Sequence, residues 1–166
     1  RLIGLIPAAC AFVLWVQVDR PLVLVADSGA LVGVMTGQGR ALSKERGAGF
    51  VARNWLENDG DGSNQIVAAS RWTGPEGKVR RMSLGATEIV HVIGKTGAAQ
   101  MQRCTADQVI IASVPMILPG PCEIFDPKRL LRTGSLSISG TKITSAHQLG
   151  GQRLWNRNDD ARSQRQ

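Results

Sequence analysis

Residues 21–43 read PLVLVADSGALVGVMTGQGRALS, and this stretch decides the fold class. Leu22–Ala26 and Leu31–Thr36 are short apolar, β-branched runs. Asp27-Ser28-Gly29 between them is a turn signal, so the pair predicts a β-hairpin. Gly37-Gln38-Gly39 turns the chain again and predicts a third strand over Arg40–Ser43.

Downstream the pattern alternates. Gly49–Asn58 (GFVARNWLEN) puts Phe50, Val51, Trp55 and Leu56 on one helical face, and Asp59-Gly60-Asp61-Gly62 stops that helix. Gln65–Arg71 predicts one more helical turn. Lys78–Ser83 and Glu88–Ile93 read as strands, Ala98–Arg103 as a short helix, and Val109–Val114 (VIIASV) as a buried strand. Pro115, Pro119, Gly120 and Pro121 make a rigid loop. Asp126 caps a short helix that starts at Pro127 and ends by Gly134. Leu136–Ser139 and Lys142–Ala146, split by Gly140-Thr141, form a last hairpin. Strands mixed with short helices predict an α+β or α/β layered domain over residues 21–150. Residues 151–166 lose periodicity and read as a disordered tail.

Upstream, Leu2–Val18 is seventeen residues without a charge. About 20 apolar residues are typical of a membrane-spanning helix, and Trp15 suits an interfacial anchor. We read residues 1–20 as a transmembrane helix, the last span of a longer protein. A signal-peptide segment, suggested by PAACA, and a buried helix of a soluble domain compete with that reading.

Composition narrows the chemistry. The chain has 166 residues and a net charge of +7, an excess that favours contact with phosphate in nucleic acid or lipid headgroups. Three Phe, four Trp and no Tyr argue against an aromatic platform for single-stranded nucleic acid. His91 lies in a strand-like run and reads as a structural histidine; His147 closes the last predicted strand. Two histidines at this spacing do not supply a dinuclear metal site. The turn Asp59–Gly62 fails as a calcium loop. From Asp59, the positions that should hold Gly and Glu hold Asn64 and Ser70. No nucleophile elbow or phosphate loop is complete. Cys104 and Cys122 could pair in an oxidising compartment or stay free in a reducing one. No metal ligand and no cofactor is expected.

The order of segments RPLVLVADSGALVGVMTGQGRALS, GFVARNWLENDGD, EIVHVIG, CTADQVIIASVPM…GPC and FDPKRLLRTGSLSI…ITSAHQLGGQRLWN resembles the C-terminal end of ComEC-type competence proteins of Gram-negative bacteria. That resemblance implies an inner-membrane channel that carries single-stranded DNA during natural transformation. Its partners would be the lipid bilayer, the rest of the channel and other competence proteins. It also implies a shortened metallo-β-lactamase-like domain on the extracytoplasmic (periplasmic) side, where Cys104 and Cys122 could be joined. The HxHxDH metal motif of that family is missing, so no metal ligand carries over and the expectation is a non-catalytic domain. The residues expected to hold DNA phosphates are Lys78, Arg80 and Arg81 on one strand and Lys128, Arg129 and Arg132 on the capped helix. Because strand side chains alternate, Arg81 faces away from Arg80. A metal-dependent hydrolase with unrecognised ligands and a purely structural cap on the membrane portion are the alternatives.

Overall fold

A computed structural model describes residues 5–16, 20–140 and 142–151. The architecture is α+β, with two sheets stacked face to face and helices on their outer faces. The predicted three-strand start is present as β1 (Val23–Val25), β2 (Val32–Thr36) and β3 (Gly39–Leu42), all antiparallel. The last hairpin, β8 (Leu136–Ser139) and β9 (Lys142–Ser145), returns to pair with β1. The first sheet therefore runs β3-β2-β1-β8-β9.

The second sheet runs β4-β5-β6-β7. β4 (Val79–Leu84) and β5 (Thr87–Val92) form an antiparallel hairpin. β6 (Gln108–Ala112) pairs in parallel with β5 and with β7 (Glu123–Phe125). β7 has no counterpart in the sequence reading, because three residues between a proline-rich loop and a helix cap are too few to show a period.

Alternation sorts the side chains into three apolar layers. Between the sheets lie Val23, Val25, Val32 and Val34 from the first and Ile89, Val109, Ile111 and Phe125 from the second. Over the outer face of the first sheet, Leu31 and Leu42 meet Ala52 and Leu56 of α2 (Gly49–Asn58) and Ala68 and Ala69 of α3 (Gln65–Ser70). Over the outer face of the second, Val90, Val92 and Ile110 meet Met101, Cys104 and Leu118, with α4 (Gly94–Gln100) alongside. Each fully buried Val, Leu or Ile contributes roughly 1.5–3 kcal/mol relative to exposure.

Two glycines are needed for close approach. Gly29, in the β1–β2 turn at φ +64°, would carry a Cβ only 2.4 Å from the Ala112 carbonyl oxygen. A Cβ on Gly97 of α4 would lie 2.5 Å from the Lys78 carbonyl oxygen, so glycine is what lets α4 press onto the start of β4.

Several elements differ from the sequence reading. α4 starts at Gly94 rather than Ala98, where the Gly94 amide donates to Ser113 Oγ at 2.8 Å. Phe50 points to solvent and Ala52 joins Leu56 on the buried face of α2. His147 does not close a strand. It lies in α6 (Ala146–Gly150), started by a reciprocal Ser145–Gln148 capping box. α5 (Pro127–Thr133) is as expected: the Asp126 carboxylate accepts from the Arg129 amide, and Gly134 ends it at φ +72°.

The membrane-spanning helix expected over residues 1–20 is not found among the described residues, where no helix is long and apolar enough to cross a membrane. α1 covers Leu5–Val16, twelve residues, a rise of about 18 Å against a hydrocarbon core of about 30 Å. The rest of that segment and the tail from 152 lie outside the described residues.

Candidate nucleic-acid interface

The carboxyl ends of the parallel strands β5, β6 and β7 lie at one end of the sandwich. The β1–β2 turn lies there too, since Gly29 packs on the Ala112 carbonyl and accepts from His91 Nε2, and register within the first sheet brings the residues after β3 and the start of β8 alongside that turn. In layered α/β sheets this end is where ligands are commonly bound.

At the β3/β4 edge of that end is an open cleft of about 280 Å³, lined by Lys44, Arg46, Lys78 and Arg80 together with Glu45 and Glu76. Four cations face two carboxylates, and none of the six is ion-paired within the described residues. The loop carrying Lys44 and Arg46 is held by Gln65 of α3, whose Nε2 donates to the carbonyls of Lys44 at 3.0 Å and Gly47 at 2.7 Å. Lys78 is fixed by α4 against its carbonyl and by the Ile93 amide, which donates to that carbonyl at 2.7 Å. Arg80 sits over the buried Trp72 ring, 5.9 Å from its centroid, and its Nε is buried without a hydrogen-bond partner.

His91 stands directly across from Arg80 on β5 and is fully buried. Its Nε2–H donates to the Gly29 carbonyl at 3.0 Å, which leaves Nδ1 as an acceptor without a donor. Burial, together with the charges of Lys44 and Arg80, pushes its pKa from 6.5 down to about 4, against the raising effect of the Gly29 bond. His91 is therefore neutral near pH 7 and adds no charge behind the cleft.

The six expected phosphate contacts separate. Lys78 and Arg80 come together in the cleft. Arg81 faces the other side of β4, where it pairs with Glu88 at 2.9 Å and reaches Met101 Sδ. On α5, Arg129 lies half-exposed along β7: it donates to the Ile124 carbonyl at 2.9 Å, pairs with Glu123 at 3.5 Å and stacks 3.9 Å from the Phe125 centroid. Lys128 and Arg132, one helical turn apart, stay exposed on α5. Lys44 and Arg46 belong with Lys78 and Arg80, although more than 30 residues separate the two pairs in sequence; a two-sheet sandwich brings them together, and no local pattern does.

The acidic turn after α2 is fully used by the fold. Arg40 is completely buried and forms a two-point contact with Asp59, Nε to Oδ2 at 2.5 Å and Nη2 to Oδ1 at 3.2 Å. Arg71 pairs with Asp61 and also donates to Ser63 Oγ at 2.7 Å. Hydrogen bonds donated to Asp61 by Arg71 and by Ser63, whose amide lies 2.9 Å from Oδ1, hold its carboxyl well below the usual carboxylate range. Among the described residues no group of three or more His, Cys, Asp and Glu could hold a metal ion. Cys104 and Cys122 are joined in a disulfide, with Cα atoms 5.7 Å apart, which ties the loop before β6 to the loop before β7.

A second open cavity, about 390 Å³, lies on the α2 side of the same end and includes Asp27, Asn54, Trp55, Ser135 and His147. His147 Nδ1–H donates to the Arg132 carbonyl at 2.6 Å. Among the described residues, neither Ser135 nor Asp27 makes a side-chain hydrogen bond with it. Comparison with family models, with curated proteins and with solved structures found no match.

Proposed function

We propose that this chain is a C-terminal part of a ComEC-type DNA-uptake channel, and that its domain is a shortened metallo-β-lactamase-like unit that holds DNA by its phosphates without cutting it. The observation that carries the reading is the cleft in which Lys44, Arg46, Lys78 and Arg80 converge with two carboxylates between them. Phosphate contacts of this kind position a strand without reading its sequence. The two stacked sheets with outer helices support the lactamase-like assignment, and the resemblance of ordered segments supports the channel. The Cys104–Cys122 disulfide favours an oxidising compartment and so the periplasmic face of the inner membrane. Membrane attachment is supported by α1, on which Ile6, Val13 and Leu14 are more than half exposed. A helix that is apolar all round belongs in lipid or in a protein core.

The test is retention of single-stranded DNA by the full chain in detergent, measured against salt. Affinity that falls steeply as salt rises supports the proposal. No retention at low salt overturns it. Bound metal with chelator-sensitive cleavage would replace it with a hydrolase.

A further inference from the structure

The cleft at the β3/β4 edge is more specific than a basic surface. A phosphodiester within a strand carries one negative charge, whereas a phosphate monoester carries about −1.5 to −2 near pH 7 and has three strong acceptor oxygens. Four cations against two carboxylates leave an excess of two positive charges in one cavity, with neutral His91 behind it. Arg80 adds a directional element. Its guanidinium is backed by the Trp72 ring, Trp72 is fixed in turn by donation from its Nε1 to the Arg81 carbonyl at 3.0 Å, and the Arg80 side chain lines the cleft without an ion pair among the described residues. A guanidinium held in one orientation and not already paired is a strong, directional donor to an anionic oxygen.

We propose that this cleft takes a phosphate monoester, the terminal phosphate of a nucleic-acid strand or free phosphate, in preference to a phosphodiester within a strand. Arg80 supplies the oriented donor, and Lys44, Arg46 and Lys78 supply the compensating charge. The inference rests on the phosphate-binding function proposed above and assigns its ligand. In the channel reading, it makes the domain a holder of strand ends.

The experiment compares one short single-stranded oligonucleotide with and without a 5′-phosphate, and inorganic phosphate alone, each titrated into the full chain in detergent at fixed ionic strength. The phosphorylated strand is expected to bind about tenfold tighter, the scale of one charge-assisted hydrogen bond. R80Q and, separately, the exposed-site variant K78Q should erase most of that difference. K142Q, altered at the far end of the sandwich, should keep it. Inorganic phosphate binding as tightly as the phosphorylated strand would assign the site to free phosphate. Weaker binding that still competes would assign it to strand ends. Equal affinity of both oligonucleotides, with no competition by inorganic phosphate, overturns the monoester site and leaves general phosphate binding standing. Failure of both oligonucleotides to bind at low salt overturns the two together.

Discussion

Two charged regions of this domain both set basic side chains beside carboxylates and do opposite things. Beneath α2, Arg40 and Arg71 meet Asp59 and Asp61. Every charge has a partner, and Arg40 is wholly buried. At the β3/β4 edge, Lys44, Arg46, Lys78 and Arg80 meet Glu45 and Glu76 without forming an ion pair within the described residues, and the cavity is open to water. The first region closes the fold. The second leaves charge available to a ligand. A basic residue in the sequence thus has no fixed meaning until its partners are known. Arg40 and Lys44 are four residues apart and serve different ends.

The largest effect expected from breaking this contrast is at Asp59. Asp59→Ala leaves the Arg40 guanidinium buried without its carboxylate, a loss of about 3–5 kcal/mol. Urea denaturation should show that loss. A shift below about 1 kcal/mol would mean that water reaches Arg40 and that the pair is not a closed structural unit.

His91 gives the next effect. Its folded pKa, about 4, lies below the 6.5 of an unperturbed histidine. The unfolded chain therefore takes up a proton that the fold refuses, and stability drops as pH falls from 6.5 towards 4. The full drop is on the order of 3 kcal/mol. In H91Q this part of the pH dependence should disappear, as read from urea midpoints between pH 7 and pH 4. Equal slopes in the two proteins would contradict the burial of a neutral ring.

Gly97→Ala should cost about 1–3 kcal/mol, because its Cβ meets the Lys78 carbonyl and α4 must move. The same displacement should weaken DNA retention through Lys78. A destabilised variant with unchanged retention would separate α4 from the cleft. Smallest is Arg81→Gln. Its pair with Glu88 is partly exposed, so stability should change by less than about 1 kcal/mol, and retention of DNA should not change at all.

Much of the frame is legible in the sequence. Period-two runs with glycine turns show β1 to β3, and Asp126-Pro127 with Gly134 shows α5. β7 is too short to show a period. α6 begins inside what reads as the last strand, since Thr144-Ser145-Ala146 continues the alternation until the capping box takes over. The role of Arg40 is hidden because it depends on Gly33. Without a side chain there, the Arg40 stem and the Trp55 ring share the outer face of the first sheet. The cleft is half legible. Lys78 and Arg80 on alternate positions of one strand predict a shared face. Lys44 and Arg46 join them only through the stacking of two sheets, which no spacing in the chain encodes.

The central proposal is that the cations of the cleft, which form no ion pair among the described residues, hold DNA phosphates, and not the basic residues at large. The most direct test is the salt dependence of single-stranded DNA binding for the full chain against the Lys44→Gln, Lys78→Gln double variant. Each lost phosphate contact should make the slope of log affinity against log salt shallower by about 0.7, or about 1.4 for the pair. Such a change, with folding stability intact, is the predicted result. An unchanged slope would contradict the account.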